Sequence, residues 1–238
     1  MSGTVTPELA TRIGAVRARI AAAAAVAGRD PADVRLIAVT KTHPVEVAAA
    51  ACAAGLEDLG ENRTGELLMK AAAVPAARWH LVGRLQRNKV RDVVGRGWLL
   101  HAVDRRPLVD AIAARAEALG VVQDVLVQVN VGADPAKAGC DLADLEGLVT
   151  YAAARPGLRV RGLMTVPPLP PPGEDPGDAA APLFARLRTA RDALRDRVPA
   201  LEELSMGMSE DLEAAVREGA TMVRIGTALF GARPEVRP

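Results

Sequence analysis

"VRLIAVTKTHPVEVAAAACAAG", residues 34–55, runs through the aliphatic residues Leu36 to Val39, then turns at Lys41, Thr42, His43 and Pro44 into an alanine-rich segment that ends in Gly55. A strand apolar on both faces is a strand covered on both faces, as in a parallel sheet flanked by helices. Proline just before the alanine run and glycine just after it are start and stop signals for a helix. The stretch reads as one β/α unit.

That unit recurs along the chain. Apolar runs lie at 35–40 ("RLIAVT"), 58–60, 79–83, 98–103, 124–131, 159–166, 201–207 and 222–226, giving eight strands. Segments of helical spacing, such as "RTGELLMKAAA", "RRPLVDAIAARAEALG" and "SEDLEAAVREGA", separate them. Eight units behind an extra N-terminal helix predict a (β/α)8 TIM barrel, typically about 250 residues long, and the chain has 238. The same count is compatible with a doubly wound open sheet. "VPPLPPPGEDPGDA", residues 166–179, is too rich in proline for a helix or central strand and reads as an irregular loop after the sixth strand. No shift in composition marks a second domain, so residues 1–238 are expected to form one.

Composition narrows the function. Half the residues are apolar and the formal net charge is +1, so no broad field of one sign points to nucleic acid or to an acidic membrane. A small-molecule ligand is expected. Cys52 and Cys140 are the only cysteines, too few for a disulfide scaffold or a cysteine-based zinc site, and read as small buried or half-buried hydrophobes. Arginines spaced through the first 30 residues leave no apolar stretch long enough for a signal or a span. A cytoplasmic location is expected.

In such a barrel the chemistry sits where strands end at their C-terminal side. Lys41 ends the first strand, and it is one of four lysines, with Lys70, Lys89 and Lys137, in a chain otherwise supplied with arginine. A partly desolvated amine there is a nucleophile suited to Schiff-base formation. Further on, Ser209 precedes Glu210, Asp211 and an apolar-periodic run, as a helix N-cap would. Gly226 and Thr227 follow the last strand and open the terminal helix. Amides and hydroxyls at these two turns, after strands seven and eight, would form a phosphate cradle. Arg224 lies inside the apolar "MVRIG" and needs a buried partner. Amine, phosphate nest and arginine match the aldehyde, phosphate and pyridine nitrogen of pyridoxal 5'-phosphate.

The motifs "AVTKTHP", "LGENR", "WHLVGRLQRNK", "VQVNVGADPAKAGC", "RGLMTV" and "LSMGMSEDLEAAVREGATMVRIGTALFG" occur in order over nearly the whole chain. Together they closely resemble the pyridoxal phosphate homeostasis proteins, single-domain relatives of the alanine racemase N-terminal barrel. The resemblance implies a fold type III cofactor-binding barrel that carries pyridoxal phosphate as an aldimine on Lys41. It further implies phosphate-binding positions at Ser209, Gly226 and Thr227, with Ser205 nearby, and Arg224 facing the ring nitrogen. Asn62 and His80 match residues at the mouth of the pocket, with orienting roles; as a histidine on a core strand, His80 reads equally as a structural residue whose neutral ring is buried with a partner. Members of the family are regarded as binding and buffering the cofactor without a demonstrated turnover, so a cytoplasmic protein that holds it and passes it to pyridoxal phosphate-dependent apoenzymes is expected, and, with no second domain expected to supply the racemase dimer contact, a monomer. The alternative is a slow amino-acid racemase or related lyase. Against it, the chain ends at "GARPEVRP", so no second domain delivering an opposing tyrosine base is expected, and no clear second base accompanies Lys41.

Overall fold

The computed structural model describes residues 5–231; residues 1–4 and the "ARPEVRP" tail, 232–238, lie outside it. Eight parallel strands close on themselves in the order β1 to β8. They are β1 (Arg35–Val39), β2 (Asp58–Glu61), β3 (Arg78–Leu81), β4 (Leu99–Val103), β5 (Gln123–Gln128), β6 (Leu158–Met164), β7 (Glu203–Ser205) and β8 (Met222–Ile225). β1 pairs with β8, Ile37 opposite Arg224, which closes the ring. The expected barrel is therefore present, and the open sheet is excluded.

Around it run α1 (Pro7–Val26), α2 (Val45–Ala53), α3 (Thr64–Ala73), α4 (Val90–Val93), α5 (Arg106–Leu119), α6 (Leu142–Ala153), α7 (Pro176–Leu194), α8 (Leu212–Arg217) and α9 (Thr227–Phe230). The extra N-terminal helix starts where Thr6 Oγ1 accepts from the Leu9 amide and Pro7 fills the first turn. Leu9, Ile13, Val16 and Ile20, three or four apart, form its buried stripe. Two boundaries differ from the sequence reading. The proline-rich loop ends early, because Asp175 caps α7 by accepting from the Gly177 and Asp178 amides and Pro176 starts the helix. Segment 86–95 holds only a 3-10 turn, Arg87–Lys89, and the four-residue α4.

Strand parity sorts the side chains. Ile37, Val39, Leu99, Leu126, Met164 and Met222 pack together inside the barrel, whereas Ala38, Leu59, Val125, Val127 and Leu163 join the larger core under the helices. Gly162 marks the irregular register between β5 and β6. A Cβ there would lie 1.9 Å from the Glu203 carbonyl oxygen, so only glycine fits.

Charges close the N-terminal mouth of the barrel. Arg78 lies 2.7 Å from Asp58, Arg35 bridges Asp58 (3.7 Å) and Glu203 (3.8 Å), and Arg161 bridges Glu203 (3.9 Å) and Asp124 (3.5 Å). Arg35 and Arg78 also lie over the Trp98 ring, at 4.9 and 5.8 Å.

Candidate functional site

The opposite, C-terminal mouth gathers most of the residues expected from sequence. Lys41 stands two residues past the end of β1, on the same parity as the inward Ile37 and Val39, and is half-buried. The next residue, Thr42, has φ of 67°, a conformation that costs a β-branched residue energy. Its amide donates to Glu66 Oε2 at 3.0 Å, which ties the turn to α3.

Thr40, on the other parity, faces α3. Lys70 from that helix is fully buried and donates to the Thr40 carbonyl (2.8 Å) and to Glu61 Oε1 (2.6 Å), while the Thr40 hydroxyl donates to the same carboxylate oxygen at 2.6 Å. Glu61 Oε2 is buried with no hydrogen-bond partner. Burial pushes the Glu61 carboxyl up, and the bonds from Lys70 and Thr40 offset part of that rise. The cluster fastens the end of β1, and hence Lys41, to β2 and α3.

Next to β1, the turns after β7 and β8 meet through one bond. Ser209 Oγ accepts from the Ala228 amide at 3.3 Å. This corrects the sequence reading of Ser209 as a cap for its own helix. α8 begins at Leu212 with Asp211 at its N-cap position, and Asp211 Oδ1 accepts from the Met208 amide instead. A Cβ on Gly226 would stand 3.3 Å from the Val39 carbonyl oxygen, so the turn after β8 lies close against the end of β1. Thr227 is exposed at that turn. Asn62 is exposed on the loop after β2, where its backbone presses on Gly83: a Cβ at Gly83 would lie 2.2 Å from the Asn62 carbonyl oxygen.

Arg224 finds the buried partners its strand position demands. Nη1 donates to Ser205 Oγ at 2.7 Å and Nη2 to the Thr165 carbonyl at 2.8 Å. Burial lowers its pKa to about 10. Ser205 is fully buried and committed to Arg224 and to His101 Nδ1 (2.9 Å), so it supports the arginine from within β7 rather than from the turn that follows it.

His80 is also displaced from its expected position. Its ring is fully buried, with Nδ1 2.9 Å from His101 Nε2 and Nε2 2.9 Å from Asp58 Oδ1, so neither nitrogen is left for a ligand at the mouth. β3 is short, and residue 80 falls in its middle, opposite Gly60 and Leu99, rather than at its end.

His101, Asp58 and Thr165 were not singled out from the sequence. The signal for His101 is a polar ring inside the apolar run "WLLHAV", the same signal that drew attention to Arg224. Burial lowers the pKa of both imidazoles, His101 most strongly. Cys140 is buried, its thiol pushed up to about 12 by desolvation, and Cys52 is half-buried, as expected of structural thiols.

A cleft of about 670 Å³ lies elsewhere, among α1, α2 and α9, lined by Leu9, Val45, Ala49 and Phe230 among others. It is outside the barrel, and its lining includes none of Lys41, Asn62, His80, Ser205, Ser209, Arg224, Gly226 and Thr227.

A model of the family described as "Alanine racemase, N-terminal domain" matches residues 12–234. The chain is 44% identical over 225 residues to the pyridoxal phosphate homeostasis protein of Aquifex aeolicus, covering 93% of this chain and 97% of that one. It is 45% identical over 227 residues to the protein of the same name from Pseudomonas aeruginosa, with 94% and 96% covered. Among solved structures, PipY of Synechococcus elongatus with bound pyridoxal phosphate matches with a TM-score of 0.81 at 37% identity, covering 94% of this chain and 100% of that one. An alanine racemase from Clostridium difficile matches at 0.77 and 16% identity, covering 96% of this chain and 60% of that one, a likeness of fold alone. The chain belongs to the family of pyridoxal phosphate homeostasis proteins, built on the barrel of the alanine racemase N-terminal domain.

Proposed function

We propose that this protein binds pyridoxal 5'-phosphate as an imine on Lys41 and contributes to intracellular homeostasis of the cofactor, as a cytoplasmic monomer that hands it to apoenzymes. The observation that supports the reading is the pairing of β1 with β8, Ile37 opposite Arg224, which lays the strand leading to Lys41 beside the strand that carries Arg224 and leads to Gly226 and Thr227. When bound, the cofactor supplies an aldehyde for the amine and a ring that can take up electron density. Lys41 holds the aldehyde carbon. Ser209, Gly226 and Thr227 hold the phosphate, and Asn62 flanks the entrance. Arg224 keeps N–H donors beyond the two committed to Ser205 and Thr165, since a guanidinium carries five. Because it donates and cannot accept, the ring nitrogen stays unprotonated and is a weaker electron sink, which favours holding the cofactor over turnover. Among the described residues no helix is long and apolar enough to cross a membrane.

Holding and turnover separate in deuterated water. The loaded protein, incubated with single-enantiomer amino acids, is expected to exchange no α-hydrogen above the rate of free cofactor. Protein-dependent exchange near about 1 per second, the low end of ordinary turnover, would convert the reading into that of a racemase or lyase.

The phosphate assignment has its own test in Thr227→Val, which replaces a hydroxyl with a methyl group of similar size. Loss of one charge-assisted hydrogen bond, about 1.5–3 kcal/mol, lowers affinity for pyridoxal phosphate by roughly one to two decades. Pyridoxal lacks the phosphate, so its affinity is expected to hold. Equal losses for both ligands in titrations of a stable variant would remove the phosphate from this turn.

A further inference from the structure

The contacts of Arg224 continue across the whole barrel. Arg224 on β8 touches Ser205 on β7, Ser205 touches His101 on β4, His101 touches His80 on β3, and His80 touches Asp58 at the start of β2, each link between 2.7 and 2.9 Å. Asp58 in turn is gripped by Arg78 through two bonds, at 2.9 and 2.7 Å, in the charged ring of the opposite mouth. All four side chains between Arg224 and Arg78 are buried. The chain therefore joins the cofactor end of the barrel to the far end through side chains alone.

Only one arrangement of protons satisfies every atom. A guanidinium can only donate, so Ser205 Oγ accepts from Arg224. The Ser205 hydroxyl then gives its proton to His101 Nδ1, His101 Nε2–H gives to His80 Nδ1, and His80 Nε2–H gives to Asp58. Both rings are neutral and carry their proton on Nε2. The reverse order has His80 donating to His101 and His101 donating to Ser205, which leaves the Ser205 hydroxyl without an acceptor; it also needs either a protonated Asp58, opposed by the two bonds that Arg78 donates to its oxygens, or a cationic His80. A cationic His80 would also place an imidazolium among Arg35, Arg78 and Arg224, the cations that face the two rings from β1, β3 and β8, with Asp58, among the described residues, the one carboxylate bonded to either ring. Hydrogen bonds that run in one direction polarise each other. Ser205, donating to His101, becomes a better acceptor for Arg224.

Resting on the cofactor reading above, we propose that Asp58, His80, His101 and Ser205 are positioning residues, a one-way chain of hydrogen bonds that orients Arg224 toward the ring nitrogen of the bound cofactor. None of the four touches the cofactor.

The proton arrangement is read in the full-length protein without cofactor, by long-range nitrogen–proton correlation on 15N-histidine. Three histidines are present, and single His→Gln variants assign them. The expected result is that His80 and His101 show the neutral Nε2–H pattern, unchanged from about pH 8 to about pH 5.5, where an unperturbed histidine would titrate. An imidazolium or an Nδ1–H form for either ring at neutral pH overturns the chain. The positioning role is read with 15N-pyridoxal phosphate in Ser205→Ala and in Asp58→Asn. Both variants are expected to move the ring-nitrogen shift of the bound cofactor, and Ser205→Ala is expected to weaken pyridoxal by about tenfold. If Ser205→Ala binds the cofactor with an unchanged ring-nitrogen shift and pyridoxal affinity within about twofold of the parent, the positioning role is wrong. If the parent protein itself fails to bind pyridoxal phosphate, the functional reading falls and the positioning role with it, whatever the histidine spectra show.

Discussion

Lys70→Met is expected to lower the free energy of unfolding by about 3–5 kcal/mol, the usual cost of removing one partner from a buried ion pair. Lys70 and Glu61 are both fully buried, and Glu61 already has one oxygen without a partner. Taking away the ammonium leaves a carboxyl whose remaining hydrogen bond comes from the Thr40 hydroxyl, in a site whose burial already disfavours its charge. For a chain of this length such a loss corresponds to a fall in Tm of roughly 6–20 °C. The double variant Lys70→Met/Glu61→Gln keeps an acceptor for Thr40 without an uncompensated charge, and is expected to recover most of the loss. Denaturant unfolding that places the single variant within about 1 kcal/mol of the parent would mean that the cluster does not secure the end of β1.

Acid is expected to weaken the fold before most carboxylates titrate. His80 and His101 have pKa values held below their ordinary 6.5 by burial, so the folded protein keeps both rings neutral while the unfolded chain takes up protons as pH falls through 6.5. The unfolded state then binds more protons, and stability rises with pH over this window. Between pH 7 and pH 5 each ring accounts for about 2 kcal/mol if it stays neutral in the fold, and above about pH 7.5 neither contributes. Asp58 has the same sign, because Arg78 and His80 hold its carboxyl below the usual carboxylate range, but its contribution is lost only at lower pH. Glu61, raised by burial, has the opposite sign. Comparison of the parent with His80→Gln/His101→Gln isolates the two rings. The parent's extra slope between pH 5 and 7, measured by denaturant unfolding, is expected to vanish in the double variant. Equal slopes would show that at least one ring is protonated in the folded protein.

Much of the barrel was legible because its signals are local. Runs such as "RLIAVT" and "DVLVQVNV" are apolar throughout, and the glycines and prolines between them punctuate helices, so all eight strands were readable to within a few residues. The limits of α7 were harder to read, because "PPGEDPGDA" combines loop-like proline with an aspartate cap that becomes visible only when Asp175 folds onto the two following amides. At the site, Lys41, Gly226 and Thr227 could be placed by strand ends alone. Ser205, Ser209 and His80 could not be given their partners, since each bonds to a residue distant in sequence: Ser205 to His101, Ser209 to Ala228 and His80 to Asp58. Sequence spacing reports which side of a strand a residue occupies; it does not report what stands across a barrel. Lys70 was hidden for a similar reason, because a charged residue on an alanine-rich helix reads as solvated until Glu61 is seen beneath it.

The central claim is that Lys41 is the amine that holds the cofactor. Lys70 is committed to Glu61 and Thr40 in a fully buried site, Lys89 ends the 3-10 turn before α4, and Lys137 lies on the loop after β5. Borohydride reduction of the protein loaded with pyridoxal phosphate, followed by peptide mapping, reports which of the four lysines carried the imine. The account predicts the principal pyridoxyl adduct on Lys41, and in Lys41→Ala a weaker, noncovalent complex held by the phosphate turns with no imine absorption. A principal adduct on Lys70, Lys89 or Lys137, or an undiminished imine band in Lys41→Ala, would contradict it.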